Sequence, residues 1–279
     1  MSLALSRSLN PARHALRRRL RWPLPRRLGI SLLTLGALLA LWWLVARLGL
    51  ISPLFLPPPA QVLQQLATLA GPQGFMDATL WQHLAASLQR ILIALAAATL
   101  CGVTVGLAMG LSPTLRGMLD PLIELYRPVP PLAYLPLMVI WFGIGETSKV
   151  LLIYLAIFAP VAMATLAGVQ GARQVRLRAA RALGANRWQV LWYVIVPGAL
   201  PDMLTGLRIG LGVGWSTLVA AELIAATRGV GFMVQAAGEF LATDVVLAGI
   251  LVSALIAFTL ELGLRALQRR LTPWHGEGL

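Results

Sequence analysis

The sequence predicts an all-α polytopic membrane protein with six transmembrane helices. Three observations lead to this fold class. Of the 279 residues, 58% are hydrophobic and only 12% are charged, whereas a soluble domain has about 25% charged residues. The apolar residues form runs long enough for a helix to cross the hydrocarbon, which takes about 20 residues. The cations, which give a formal net charge of +13, cluster between these runs.

The six predicted spans are separated by polar or proline-containing segments. They cover residues 28–48, 84–110, 119–144, 149–170, 194–224 and 245–266. The first span follows a basic tail, residues 1–27, that holds eight arginines. Its apolar run is too long for a cleaved signal peptide, so we predict an uncleaved anchor. The transmembrane domain then covers 28–270, and a second tail covers 271–279.

The distribution of arginine predicts the orientation of the spans. Cytoplasmic loops of membrane proteins carry the excess of lysine and arginine. With the N-terminus inside, nearly all loop cations fall in the basic tail, the loop near Arg116, the loop 171–193 and the end that holds Arg265, Arg269 and Arg270. The outer segments are then 49–83, 145–148 and 225–244. We therefore expect both termini to be cytoplasmic.

Two of the predicted spans carry glycine at every fourth position. The second span has Gly102, Gly106 and Gly110, and the fifth has Gly206, Gly210 and Gly214. A spacing of four places each trio on one helical face, and small faces let helix backbones approach closely in lipid. We predict close helix packing at both faces. The alternative is that glycine is simply frequent in membrane helices.

The third span is interrupted by prolines at positions 121, 128, 130, 131 and 136. Proline lacks a backbone donor and clashes with the preceding helical turn, so residues 127–131 are not expected to be regular helix. Glu124 and Arg127 are spaced i, i+3 and can pair. The break is either a wall of a translocation path, where irregular backbone is tolerated, or a kinked helix end at the cytoplasmic interface.

Charged residues within spans are candidates for function or for structural pairing. Glu261 and Arg265 are spaced i, i+4, which predicts a local pair, and pairing is also the expected role of Asp202 and Arg208. Glu222 has no obvious partner nearby in the sequence, so it is the better candidate for a translocation path. The three histidines fall in separate places and are expected to be solvated or interfacial, not metal ligands.

The loop 171–193, hereafter the arginine-rich loop, holds five arginines and no acid. As a helix over 173–183 it carries a small apolar arc opposite the arginines, formed by Val175, Ala179, Ala182 and Leu183. Gly184 fits a left-handed C-terminal cap. Asn186 and Gln189 match a capping box for the next helix. We predict a short helix, a tight turn and a second helix that continues into the fifth span.

Two interpretations of the arginine-rich loop remain open. The first is contact with anionic lipid, at about 1 kcal/mol for each arginine near the surface. The second is docking of a soluble cytoplasmic partner. The apolar arc favours docking modestly, because it lacks the large apolar side chains with which a helix usually lies in the lipid interface.

The arginine-rich loop also resembles the cytoplasmic signature of binding-protein-dependent ABC importer permeases. That signature runs Glu-Ala-Ala, three residues, Gly, nine residues, Ile, one residue, Leu-Pro. The matching residues here are Arg178-Ala179-Ala180, Gly184, Val194 and Val196-Pro197. The spacing is kept throughout. Arg178 replaces the glutamate, which puts in doubt any contact that the family makes through that carboxylate.

The resemblance extends over nearly the whole chain. Four further stretches are similar to the sulfonate, taurine and nitrate branch of these permeases, namely LPPPAQVL at 56–63, WFGIGETSK at 141–149, LVAAELI at 218–224 and TDVVLAGI at 243–250. Within that branch, the chain most resembles the taurine permeases. The implied architecture is that of a type I importer permease, with a cytoplasmic coupling helix between spans 4 and 5.

This resemblance implies a transport subunit of the bacterial inner membrane, not an enzyme. It implies a homodimer that works with two cytoplasmic ATPase subunits and a periplasmic substrate-binding protein, without nucleic acid. ATP and Mg would be bound by the partner ATPase, and the chain itself would hold no cofactor or metal. In agreement, the sequence lacks the Gly-x-x-x-x-Gly-Lys-Ser/Thr motif that binds nucleotide phosphates.

The resemblance also assigns residues to roles. The expected docking residues for the ATPase subunit are Arg178, Ala179, Ala180, Leu183, Gly184, Ala185, Asn186 and Arg187. Candidates for the lining of a weakly polar translocation path are Glu124, Tyr126, Arg127, Tyr134, Trp215 and Glu222. For the aromatic candidates, helix packing is the alternative role.

Other functions are less consistent with the sequence. An ion-coupled secondary transporter is often built from internal repeats with paired broken helices, and only one broken span is evident here. A membrane-embedded enzyme would need a nucleophile–base pair or a metal site, and neither is apparent. Within the family, uptake of other alkanesulfonates or of nitrate is the close alternative to taurine.

Overall fold

The computed structural model describes residues 26–171 and 174–275. Most of the predicted basic tail 1–27, Arg173 of the arginine-rich loop, and residues 276–279 of the predicted C-terminal tail lie outside the described residues. The described chain is helical and forms no β-strand; Phe75 and Ala78 make one isolated bridge. The all-α prediction is confirmed.

Eleven α-helices follow one another along the described residues. They are α1 (Arg26–Arg47), α2 (Pro59–Ala70), α3 (Leu80–Leu111), α4 (Pro113–Tyr126), α5 (Leu135–Phe142), α6 (Glu146–Gln170), α7 (Gln174–Ala182), α8 (Arg187–Val190), α9 (Val196–Ala225), α10 (Val230–Glu239) and α11 (Thr243–Leu271). Short 3-10 turns lie at Pro131–Tyr134 and Pro273–His275, and a π-helical turn at Leu191–Ile195 joins α8 to α9.

Among the described residues, five helical segments are long and apolar enough to cross a membrane. They are Gly29–Arg47, Leu80–Leu111, Glu146–Gln170, Arg187–Ile224 and Thr243–Leu271. The predicted third span, 119–144, is instead divided into α4, a 3-10 turn and α5, with Pro131–Phe142 as a shorter apolar helix. The total of six spans therefore stays a prediction.

The break in the third span lies where the prolines predicted it. Helix α4 ends at Tyr126, and regular structure resumes at Pro131. Pro121 lies inside α4, so one proline alone does not end the helix. The cluster at 128, 130 and 131 removes several backbone donors in succession, which explains why residues 127–130 leave the helix.

The described residues form two compact units, 26–59 in the first and 60–171 with 174–275 in the second. In the described part of the first unit, Trp42 Nε1 donates a hydrogen bond to the carbonyl of Pro57 at 3.2 Å. The Arg47 guanidinium lies over the ring of Trp43, 4.8 Å from its centroid. The Trp42–Pro57 hydrogen bond holds the segment after α1 against the C-terminal part of that helix, whereas the Arg47–Trp43 contact lies within it.

The core of the second unit lies between three long helices, α3, α6 and α9. Each contributes side chains to one buried cluster: Ile91, Ala94, Ala98, Ile153, Ile157, Val161, Leu211, Trp215 and Leu218. Helix α6 also packs with α4 around Ala162 and Leu166, and with α5 around Leu152. Helix α6 is therefore the element that the other helices of this unit share.

Candidate functional site

Both glycine faces pack against helix α6. A Cβ atom added at Gly106 of α3 would lie 2.5 Å from the carbonyl oxygen of Ala162, and one at Gly110 would lie 2.5 Å from Val169 Cγ1. Such distances are too short for any real Cβ atom. Close backbone approach of this kind is what small faces permit between membrane helices.

The glycines of α9 meet the same helix. An added Cβ at Gly210 or Gly214 would lie 2.9 Å or 2.5 Å from side-chain atoms of Ile157, and one at Gly206 would overlap Ala164. In α3, an added Cβ at Gly102 would lie 2.9 Å from Val161 Cγ1. Helices α3 and α9 thus both pack against α6 through their glycine faces. The glycine spacing alone does not identify α6 as their shared partner.

The arginine-rich loop has the local structure that its sequence predicts. Helix α7 is followed by Gly184 at φ +83°, a conformation that glycine adopts without steric cost. The amide of Gly184 donates to the carbonyl of Arg181 at 3.0 Å, and the amide of Ala185 donates to that of Ala180 at 3.1 Å. These two hydrogen bonds define a Schellman motif.

The second helix of the loop starts with the predicted capping box. Asn186 Oδ1 accepts from the amide of Gln189 at 2.8 Å, and Gln189 Oε1 accepts from the amide of Asn186 at 2.8 Å. Helix α8 then continues through the π-helical turn Leu191–Ile195 into α9. The turn between α7 and α8 is therefore fixed by hydrogen bonds on both sides.

One face of α7 packs against the helical core, and the other is exposed. Leu177 and Ala180 are half-buried and, with Ala185, pack on the cluster of Val169, Val190, Ile195, Ala199 and Met203. At 100° per residue, positions 175, 178, 179 and 182 point away from this contact. The predicted arc residues are correspondingly exposed, including Val175 at 76%, and Arg178 lies on the same outer face, so the arc is not opposite every arginine.

The residues near the broken span differ in their surroundings. Glu124 and Arg127 are exposed, and no ion pair joins them among the described residues, although their spacing allows one. Tyr126 packs on the cluster around Met109, and Tyr134 packs on the cluster around Met138. For both tyrosines, helix packing is the observed environment in this chain.

Trp215 and Glu222 are buried within this chain, so their role in a translocation path stays a prediction, whereas the expectation that Glu222 lacks a partner was wrong. The Trp215 side chain is buried in the core cluster, where Nε1 donates to Ser253 Oγ at 3.2 Å. Glu222 is completely buried and has a partner, Arg90, on α3. Neither side chain lines an open surface of this chain. Sequence reasoning missed the partner because 132 residues separate the two.

Arg90 and Glu222 belong to a buried charge network, formed by Arg90, Lys149, Glu146 and Glu222. Arg90 Nη1 lies 2.6 Å from Glu222 Oε1, and its Nε and Nη2 atoms lie 2.5 Å and 2.8 Å from the two oxygens of Glu146. Lys149 Nζ lies 2.8 Å from Glu146 Oε1. The charges of two acids and two bases balance, which offsets the cost of burying Arg90, Lys149 and Glu222; the side chain of Glu146 is largely exposed.

The carboxylate of Glu222 also accepts hydrogen bonds from neutral donors. The hydroxyl of Ser87 lies 2.8 Å from one of its oxygens, and the amide of Gly231 donates to the other at 2.9 Å. With Arg90, the buried carboxylate on α9 has partners from two other helices, α3 and α10. Such a fully satisfied polar cluster specifies one packing arrangement.

The same network holds the segment between α9 and α10 against α3. The Arg90 guanidinium donates to the carbonyl of Arg228 at 2.7 Å. The amide of Gly229 donates to His83 Nδ1 at 3.1 Å, and the amide of Val230 donates to the hydroxyl of Ser87 at 2.9 Å. His83 is completely buried, so the expectation of a solvated or interfacial histidine was wrong at this position.

Two further ion pairs lie near the end of α11. Arg208 Nη2 lies 2.6 Å from Glu261 Oε1, and Arg265 Nε lies 2.9 Å from the same oxygen. The predicted pairing of Arg208, Glu261 and Arg265 is confirmed. For Asp202, the structure shows no ion pair among the described residues; its Cβ packs beside Gly168.

A surface cavity of about 430 Å³ lies beside Glu146, the one member of the charge network whose side chain is largely exposed (63%). Its lining is mainly apolar and consists of Ala97, Glu146, Thr147, Val150, Leu151 and Tyr154. No group of three or more histidine, cysteine or acidic side chains that could hold a metal occurs among the described residues.

Comparison with known proteins places these features in a family. Residues 98–273 match the family described as binding-protein-dependent transport system inner membrane component. A taurine transport system permease protein of Escherichia coli (strain K12) is 77% identical over 269 residues, which cover 96% of this chain and 98% of the relative. A Bacillus subtilis (strain 168) permease named for the transport of aliphatic sulfonates is 35% identical over 245 residues, covering 88% of this chain and 87% of the relative.

The fold also matches a solved transporter. A chain of the inward-facing MetNI methionine ABC transporter superimposes with a TM-score of 0.61 at 16% identity, covering 69% of this chain and 96% of that chain. At such low identity the similarity supports the fold alone. The fold of the predicted ABC importer permease is therefore confirmed.

Proposed function

The chain belongs to the family of binding-protein-dependent transport system inner membrane components, and we propose that it forms the translocation path for taurine in an ATP-driven importer. The observation that carries this proposal is the 77% identity to a taurine transport permease along 96% of the chain. The substrate of the relative is therefore the first candidate for this chain.

The proposed assembly follows from the family. Two copies of this chain pair in the bacterial inner membrane with both termini in the cytoplasm. Two cytoplasmic ATPase subunits bind ATP and Mg, and a periplasmic binding protein delivers the substrate. The chain contributes no cofactor. Its domains are the basic tail 1–27, the transmembrane domain 28–270 and the short tail 271–279.

The geometry of the arginine-rich loop supports its proposed role as the docking element for the ATPase subunit. Its outer face, with Arg178 and Ala179, is exposed, whereas Ala180 and Ala185 pack inward. The turn at Gly184 is fixed by the Schellman motif. A stiff turn joined directly to α9 transmits a displacement of the loop into the membrane helices.

The proposed translocation path remains weakly polar. Glu124 and Arg127, beside the broken third span, keep exposed side chains and are the lining candidates that the packing of this chain leaves accessible. A permease served by a binding protein does not need a tight site of its own, because the binding protein selects the substrate. Strong binding at the path would also slow release.

Reconstitution tests this function directly. The full chain is placed in liposomes with the ATPase subunit and the binding protein of the same taurine transport system, and uptake of labelled taurine is measured. We expect uptake that needs ATP, the binding protein and an active ATPase. Uptake driven by an ion gradient alone, with no ATPase present, contradicts the proposal and favours a secondary transporter.

Other alkanesulfonates, or nitrate, are the second candidate substrates. The 35% identity to a permease named for aliphatic sulfonates favours this alternative. Competition for the matching binding protein separates the candidates, since selection resides there. Taurine should displace a bound label at lower concentration than ethanesulfonate, which lacks the ammonium group, or nitrate. The reverse order assigns the chain to another substrate of the branch.

A further inference from the structure

We propose that the arginine-rich loop docks into an acidic groove of the ATPase subunit, and that Arg178 is the residue that selects an ATPase subunit with a carboxylate at that position. The inference rests on the proposed function, because it takes the soluble partner of the loop to be an ATPase subunit. It adds the chemistry of the groove and a residue that decides the pairing.

The positive charge of the loop is not compensated within the chain. The sequence has no aspartate or glutamate between Glu146 and Asp202. Arg176, Arg178 and Arg181 of α7 are all exposed, and none of them takes part in an ion pair among the described residues. By contrast, Arg90 and Arg208 each meet a carboxylate elsewhere in the chain. The arginines of α7 therefore have unused capacity for an external anion.

Arg178 lies in the middle of the outer face of α7, where a partner protein would contact this helix. Leu177 and Ala180 face the helical core, so Arg178 points outward, between the neighbouring outward positions 175 and 182. Both of these are small: a valine and an alanine. Small neighbours allow a partner surface to come close to the helix, which removes water from around the guanidinium. A desolvated arginine needs a carboxylate partner, and its planar fork binds one with two parallel hydrogen bonds.

Contact with lipid is the competing explanation of exposed arginines, and the structure separates the two kinds of surface. The large aromatic side chains characteristic of a membrane interface are exposed on the following segment, at Trp188, Trp192 and Tyr193. The outer face of α7 has none. An interfacial helix would carry such residues on its apolar face, so α7 is better suited to a protein groove than to the bilayer surface.

The test compares two variants with the same change of charge. Arg178→Glu reverses the charge on the outer face of α7, and Arg269→Glu makes the same change at an exposed position of α11. Each full-length variant is extracted in detergent after co-expression with the ATPase subunit of the same taurine transport system. The ratio of ATPase to permease is then measured at low and high salt.

We expect Arg178→Glu to lower the recovered ATPase about tenfold or more, because like charges at an interface are strongly unfavourable, whereas Arg269→Glu should retain the wild-type ratio. Reversing single acids of the ATPase groove to lysine should identify one change that restores binding to Arg178→Glu. Such reciprocal rescue demonstrates a direct charge pair, which a merely structural defect in α7 cannot produce.

The remaining outcomes are distinct. If the wild-type chain recovers no ATPase subunit, the proposed function fails. If the wild type and Arg178→Glu recover it equally, the proposed function stands and the acidic-groove proposal is overturned. The proposal is also overturned if Arg178→Glu keeps its ATPase but retains less phosphatidylglycerol than the wild type after detergent extraction, because lipid is then the partner of the arginines.

Discussion

Arg90 of α3 and Glu222 of α9 form an ion pair at 2.6 Å inside the helical core, where 5% and none of their side-chain surfaces, respectively, remain exposed. The pair joins two long helices that do not follow each other in the chain. It also joins both helices to the segment before α10, because Arg90 donates to the carbonyl of Arg228. The described network therefore fixes one end of the core.

Replacing Glu222 by glutamine should strongly destabilise the protein. The change leaves the buried guanidinium of Arg90 with less compensating charge, and breaking a buried pair from one side costs about 3–5 kcal/mol. Thermal unfolding of the detergent-extracted chain measures the loss. Glu261→Gln is the matched control: its pairs with Arg208 and Arg265 are partly exposed, and such pairs contribute about 1 kcal/mol or less. Equal losses for both variants would show that the Arg90–Glu222 pair is not specially buried.

Gly106→Ala should prevent the close packing of α3 on α6. The added methyl group would lie 2.5 Å from the carbonyl oxygen of Ala162. Because this oxygen belongs to the backbone of α6, the clash is relieved only if α3 and α6 move apart. We expect a large fall in the yield of folded protein, and a larger one for leucine at position 106 or 210. Gly117→Ala is the control, since nothing lies within 4 Å of its added methyl group. Normal yield and activity of Gly106→Ala would mean that the contact is loose in the membrane.

Gly184→Val should uncouple ATP hydrolysis from taurine uptake. The backbone at position 184 has φ +83°, which a β-branched residue adopts only at considerable cost, so the turn between α7 and α8 must rearrange. Gly184→Asn provides the control at the same position, because asparagine tolerates left-handed conformations better than other non-glycine residues. Uptake per ATP hydrolysed is the measurement. Equal coupling ratios for valine and asparagine would contradict the predicted role of this turn.

Trp215→Ala should lower stability, and Trp215→Phe should leave the affinity for substrate unchanged. The indole fills the shared core cluster, and removal of a buried tryptophan side chain costs about 3–5 kcal/mol. Phenylalanine keeps most of the volume and loses the hydrogen bond to Ser253. Uptake at several taurine concentrations checks the second part. A raised KM for Trp215→Phe with unchanged stability would return Trp215 to the translocation path.

Local features of the fold were predictable because their causes are close together in the sequence. Gly184 and the Asn186–Gln189 capping box specify their turn within a few residues. The prolines at 128, 130 and 131 likewise explain why α4 ends at Tyr126. The Glu261–Arg265 pair follows from one helical turn.

The candidate site was less predictable because it depends on contacts between distant helices. Sequence reasoning identified Glu222 as unusual but assigned it to a path, since Arg90 lies far away in the chain and looks like an ordinary arginine near a span end. The burial of Trp215 was not predictable for a similar reason: periodicity along α9 does not reveal whether α3 and α6 cover that face. The glycine spacing signalled close packing without identifying α6 as the common neighbour.

The packing of two glycine-bearing helices against α6 has a consequence for how force passes through the membrane. Contacts this close leave no room for α3, α6 and α9 to slide past one another, so the three should translate and rotate as a single rigid block. Probes attached to any two of them should keep a constant separation throughout the transport cycle, even while their distance to the proposed second copy of the chain changes.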